Sequence, residues 1–448
     1  TPAKRVGLWT YVRHVETAAQ NHHVDRIHHH IYLESPLGQW VQGRSYTIQG
    51  PPPVGVQAFL FDARRTLCES IHVNQAGYSG RSRTRYAVFG AFLGTLGSQD
   101  FFSRTPFFYE VRRDADDALI LTGTSRFWGD DTRNEGGSGE QAVYHMDLSP
   151  LDEGRYYLDV PGVGRSHPFG VGEAYSKEIA KTVLRGLYHQ RCGTALKPAF
   201  TPWARGACHT AVEVTDGEPP GFIPPSPNAA KRPIAGGWHD AGDFDRRGPH
   251  IVIPAFLLTL YEAFPDRFQD GEFDIPESGD PFGMPDILDE ALWGILLWQN
   301  LQEPDGGVRW GVETDAHPVY GVVTAATDTL VYRTYRRDRY VTALAAGLFA
   351  QASRLIRPFD PGRAGQLARD ARRAWDYAFP DDGENGALGV PFDAERRRPI
   401  SESGRLYAAL QLWLLHGRPV PIPADSWMPF LRLPAPSMSA GSFPSSTT

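Results

Sequence analysis

The stretch Gly236-Gly-Trp-His-Asp-Ala-Gly-Asp-Phe-Asp245 places three carboxylates, Asp240, Asp243 and Asp245, within six positions. Two carboxylates this close can hold one water between them, and the small Ala-Gly spacer lets the loop approach a ligand. Hydrolysis of a glycosidic bond, for example, needs a base to activate water and an acid to protonate the leaving oxygen. Mutual repulsion would raise one of the two pKa values, a common feature of catalytic pairs. The same spacing also fits a calcium loop or a helix N-cap, because Asp at a helix start favours the dipole. Cys192, Cys208, His209 and His239 are the residue types of a tetrahedral Cys2His2 zinc site. They are spread over nearly fifty positions, so spacing alone does not group them.

The elements that must position these groups change character along the chain. Residues 1–67 read as a partial β domain, with strands at Arg26–Leu33, Ser45–Ile48 and Val56–Phe61 around Pro51-Pro-Pro53. From 68 to 172, short alternating strands such as Tyr86–Phe89, Phe107–Val111, Ala142–Asp147 and Gly154–Val160 predict an antiparallel sandwich. After 173 the apolar period shifts from 2 to 3.6. Six helices are expected, over Ser176–Gln190, Ile251–Phe264, a span after Met284-Pro285, Tyr340–Ile356, Gly362–Phe379 and Gly404–His416. Long loops join them, which suits a helical barrel better than a compact bundle. No strands are expected between these helices, which disfavours a βα barrel.

Composition bounds the remainder. The 448 residues are 41% hydrophobic and 22% charged, ordinary for a folded chain. A net charge of −7 argues against nucleic acid as the main partner. No apolar run approaches the roughly 20 residues that span a bilayer, so no membrane role is expected. Three cysteines, Cys68, Cys192 and Cys208, cannot supply a disulfide framework.

Taken together, these motifs resemble glycoside hydrolase family 9. The Gly-Gly-Trp-His-Asp-Ala-Gly-Asp stretch looks like its signature. Tyr188-His-Gln-Arg-Cys-Gly193, Ala207-Cys-His209, Pro285-Asp-Ile-Leu-Asp-Glu290 and Pro304-Asp-Gly-Gly-Val308 look like its landmarks in order, and Ser70–Tyr78 like the start of its N-terminal domain. The resemblance implies an immunoglobulin-like β-sandwich followed by an (α/α)6 barrel over 173–448. It also implies an inverting hydrolase of β-1,4-linked glucan, acting on cellulose or its oligosaccharides outside the cytoplasm or in the periplasm. Asp243 would be the general base, Asp240 its partner in holding water, and Trp238 either part of the cleft floor or a buried structural residue. Some members of the family bind a structural zinc through positions that match Cys192, Cys208, His209 and His239. Where members often carry an aromatic residue and Lys-Tyr after the second Asp, this chain has Phe244-Asp-Arg-Arg247. An exo-glucosaminidase is the nearest alternative, with Asp245 facing the substrate amine; a non-catalytic carbohydrate-binding protein is the other. The family's acid, a Glu in an Asn-Glu pair near the barrel's end, finds no match. Asn134-Glu135 falls in the sandwich, Glu402 reads as a helix start, and Pro421–Thr448 is non-periodic. The barrel is therefore expected to be truncated, and the isolated chain weakly active or inactive. No signal peptide is visible in the sequence.

Overall fold

The computed structural model describes residues 3–18, 22–35, 40–50, 55–132, 137–276, 283–319, 323–379 and 394–417, with the side chains of 11–27 and 394–402 not included. Asn134-Glu135, the Glu402 side chain and the Pro421–Thr448 tail lie outside what is described. Two compact units meet inside a helix, Thr1–Val183 and Leu184–Thr448.

The first unit opens with two antiparallel hairpins, Arg5–Ala18 with His22–Glu34 and Ser45–Gln49 with Val56–Leu60. Two sheets follow. One orders Ile71–His72, Tyr86–Phe89, Val143–Asp147 and Arg126–Gly129; the other orders Gly164–Arg165, Gly154–Val160, Phe108–Arg113 and Leu119–Thr124, with Phe169–Val171 also on Gly154–Val160. Alternation sends Phe89, Tyr109, Val111, Tyr144, Met146 and Leu158 into one core. The sandwich expected from the period-2 pattern is present.

The second unit is mainly helical. Its elements are the end of α1 (Glu173–Gln190), then α2 (Val252–Ala263), α3 (Asp286–Leu301), α4 (Arg339–Ile356), α5 (Pro361–Ala378) and α6 (Ala394–His416). Local chemistry sets their starts. Asp338 and Asp360 accept from the third amide beyond them, Val341 N and Arg363 N, and Pro361 fills the first turn of α5. Asp286, at the start of α3, accepts from Gly271 N and Phe273 N at 2.8 and 2.6 Å, so a loop is pinned to the helix start. α3 is buried on nearly every side, α2 packs on it, and α4 packs on α5 and α6.

One expectation is corrected here. A five-stranded sheet lies among the helices, in the order Lys231–Arg232, Val212–Gly217, Arg333–Tyr335, Gly311–Glu313, Arg246–Arg247. Four of its strands run two or three residues, too short for a period-2 pattern to be read, and Val212–Gly217 alone runs six. Only one of its strand pairs is parallel, so this is a brace across the loops and not a βα barrel.

Candidate active site and metal centre

The Asp loop is held at both ends. Upstream, Cys192 N donates to Gly237 O and His239 N to Gln190 O, at 3.0 and 2.9 Å, which pairs the loop with the last residue of Glu173–Gln190 and the turn after it. Downstream, Arg246–Arg247 joins the small sheet through Gly311–Glu313. Between these anchors the main chain turns sharply. Ala241 and Phe244 adopt positive φ, 40° and 56°, the left-handed region that side-chain-bearing residues avoid. Such outliers persist where the surroundings enforce them, commonly at functional sites.

The turn brings carboxylate oxygens of Asp240, Asp243 and Asp245 within 4.8 Å of one another. A water hydrogen-bonded to two oxygens at about 2.7 Å each can bridge a gap of roughly 5 Å, so Asp240 and Asp243 can share one. Their surroundings differ. Asp240 is open to solvent, with His250 Nε2 3.5 Å from its Oδ2. Burial holds the His250 imidazole below its usual pKa. Asp243 is mostly covered: His317 Nδ1 lies 3.6 Å from Oδ2, and Oδ1 is buried without a hydrogen-bond partner among the described residues. A buried acceptor in that state is a ready seat for a water. Neither histidine stands out in the sequence. His317 is 74 positions from Asp243, with no motif linking them.

Two expected substrate-facing residues are corrected. Asp245 is fully buried and ion-paired with Arg247, whose Nε also donates to Glu313 Oε2 at 2.8 Å. Burial, and then the neighbouring Glu313, push the Asp245 carboxyl up to about 8. It therefore cannot meet a substrate amine. The three carboxylates could together hold a metal ion, although Asp245 is already paired with Arg247. Trp238 is 4% exposed, its indole N–H donating to Glu290 Oε1 at 2.7 Å and its ring packed against Gly294. It supports the loop from behind and offers no face to a sugar.

The four sulfur and nitrogen groups do converge. One donor atom each from Cys192, Cys208, His209 and His239 lies within 4.8 Å of the others. Cys192 Sγ is 3.4 Å from His209 Nδ1, and Cys208 Sγ is 3.4 Å from His239 Nε2. Neither cysteine is in a disulfide. Bonds of about 2.0–2.3 Å to a central ion would need little movement from these positions. The donor chemistry fits as well. Hydrogen bonds from Cys192, then His209 and His239, hold the Cys208 thiol far below its usual range, and Arg205 Nη1 donates to the same sulfur at 3.0 Å. Burial pushes the Cys192 thiol up, so a bound cation would have to displace its proton, and holds His239 below the usual histidine range; the neutral imidazole is the ligating form.

Residues 176–415 match the model of glycosyl hydrolase family 9, and residues 67–165 match a cellulase N-terminal ig-like domain. Endoglucanase D of Acetivibrio thermocellus is 28% identical over 311 residues, covering 68% of this chain and 47% of that protein. Endoglucanase C of Cellulomonas fimi is 27% identical over 346 residues, covering 72% and 29%. The chain thus spans less than half the length of these two relatives. A metagenome-derived endoglucanase of the same family superposes with a TM-score of 0.65 at 29% identity, over 81% of this chain and 63% of that one. A zinc-binding triple mutant of another family 9 endoglucanase superposes at 0.56 with 26% identity, over 73% and 58%.

Proposed function

The chain belongs to glycosyl hydrolase family 9, and on that premise we propose that it serves the hydrolysis of β-1,4-linked glucan by inversion, with Asp243 as general base. The observation that carries this reading is the buried Oδ1 of Asp243, without a hydrogen-bond partner among the described residues, beside the half-exposed Asp240. Asp240 and Asp243 hold one water; Asp243 takes its proton as the oxygen attacks the anomeric carbon from the face opposite the leaving sugar. The proton on the departing oxygen must come from a separate acid, and neither buried Asp245 nor paired Glu313 can reach it. The same reading makes 68–172 an immunoglobulin-like domain and 173–448 part of an (α/α)6 barrel, after a partial β domain at 1–67. The substrate places the protein's work outside the cytoplasm; no described helix is long and apolar enough to cross a membrane.

Cys192, Cys208, His209 and His239 would hold a structural zinc ion, which supplies a cross-link among three loop segments distant in sequence. Through His239 that link reaches the residue next to Asp240.

An activated leaving group separates base from acid. 2,4-Dinitrophenolate leaves 2,4-dinitrophenyl β-cellobioside without protonation, so the chain should hydrolyse that substrate and release α-cellobiose, seen by proton NMR. Asp243→Ala should lower that rate by about 10² to 10⁴ and leave cello-oligosaccharide binding intact. Retention of the β-anomer, or full rate in Asp243→Ala, would overturn the assignment. Binding without turnover in the wild-type chain would make it a carbohydrate-binding module.

A further inference from the structure

The metal-ligating groups and the Asp loop share a second connection that the motif does not contain. Asp328 and Tyr332 lie on the segment leading into strand Arg333–Tyr335, more than eighty positions after Asp243. His209 Nε2 is 3.2 Å from Asp328 Oδ2, with both side chains almost fully buried. Leu330 N donates to Asp328 Oδ1 at 3.0 Å, so both carboxylate oxygens are engaged by protein. The Tyr332 hydroxyl lies 2.9 Å from Asp328 Oδ2 and 3.0 Å from Asp243 O, two acceptors for its one proton. Phe244 and Tyr332 close on the His209 ring, with centroids 5.4 and 4.6 Å away.

These contacts have a direction. A carboxylate beside Nε2 keeps the proton there, which leaves the Nδ1 lone pair facing Cys192 Sγ. The aromatic neighbours then fix the plane of the ring. The tyrosine carries the same constraint to the carbonyl of Asp243, the residue next to strained Phe244. His239 couples the cluster to Asp240, and Tyr332 couples it to Asp243.

We infer that Asp328 and Tyr332 are positioning residues: Asp328 sets the His209 tautomer for metal binding, and Tyr332, its one hydroxyl proton shared between that carboxylate and Asp243 O, is a strut to the main chain of Asp243. The first half rests on the zinc reading above; the second rests on the hydrogen bonds alone.

Zinc affinity of the 448-residue chain, measured against a chromogenic chelator, tests the first half. Hydrogen exchange of peptides covering 240–245 tests the second, with the metal state held constant. Asp328→Asn should weaken zinc about 10- to 100-fold while circular dichroism stays native, which loss of packing alone would not do. Tyr332→Phe should bind zinc within about threefold of wild type and yet exchange the loop amides on the order of tenfold faster. Wild-type zinc affinity in Asp328→Asn overturns the tautomer role, and wild-type exchange in Tyr332→Phe overturns the strut. If the wild-type chain takes up no zinc, the metal reading fails together with the tautomer role, while the exchange experiment still decides the strut. Should Asp328→Asn not fold, nitrogen-15 NMR of the wild-type His209 ring decides the tautomer role: a proton on Nε2 supports it and a proton on Nδ1 overturns it.

Discussion

Glu290 shows how a single residue underpins the loop without touching substrate. Its carboxylate accepts from Arg191 Nη2 at 2.7 Å and from the Trp238 indole at 2.7 Å, in a pocket sealed from water. Removing one partner of a buried pair strands the other, so Glu290→Ala should cost about 3–5 kcal/mol in urea unfolding. A loss below 1 kcal/mol would mean that water reaches Arg191. Asp245 makes a prediction of opposite kind. Its folded pKa, pushed up to about 8, lies above the unfolded carboxylate range near 4. The stability it contributes is therefore complete below about pH 4 and is lost as pH rises through about 8. Asp245→Asn should flatten the part of the stability–pH curve that falls between those limits, as followed by urea midpoints from pH 4 to 9; an unchanged slope counts against the raised pKa. Residue type singled out Asp245 in the sequence, and Glu290 stood there only as the end of the Pro285–Glu290 landmark; type does not report exposure. Asp245 and Trp238 were legible as members of the loop and illegible as its buried face, because Glu290 comes 52 positions after Trp238 and Glu313 comes 68 after Asp245.

At the scale of elements, the fit of the loop against α3 depends on absent side chains. Gly236 has φ 98°, and a Cβ there would collide with the main chain at Leu296–Leu297. Gly236→Ala combines a backbone penalty with that collision and should destabilise by roughly 2 kcal/mol or more. Gly186, within α1, has open space where a Cβ would go. Gly186→Ala should stabilise by about 0.5–1 kcal/mol through helix propensity and a less disordered unfolded chain. Opposite signs in parallel chemical melts check both; Gly236→Ala at wild-type stability would mean the loop does not pack on α3 as described. The helices themselves were readable because a 3.6 period repeats over three to five turns. The sheet bracing the loops was not, since a strand as short as Arg246–Arg247 carries no period and owes its pairing to partners far along the chain. His250 and His317 escaped for the same reason: their proximity to Asp240 and Asp243 exists only after the brace has formed.

The whole molecule divides into units with separate cores, one around Tyr144 and Phe169 and the other around Trp298, Phe349 and Ala345. Every candidate group, from Cys192 to Tyr332, belongs to the second unit, so metal binding should be linked to the folding of that unit alone. A ligand that binds only the folded form stabilises by RT ln(1 + [L]/Kd), about 2.7 kcal/mol at a hundredfold excess over Kd. For a unit of this size that corresponds to a rise of roughly 5–10 °C in Tm. Calorimetry of the full chain should therefore resolve two transitions. Chelation should lower one of them by about that amount and leave the other in place, and added zinc should restore it. Movement of both transitions together would show that the units unfold as one. Movement of neither would remove zinc from the account of how the Asp240-Ala-Gly-Asp243 loop is held, leaving the Tyr332 hydroxyl, the Glu290 pocket and the five-stranded brace as its supports.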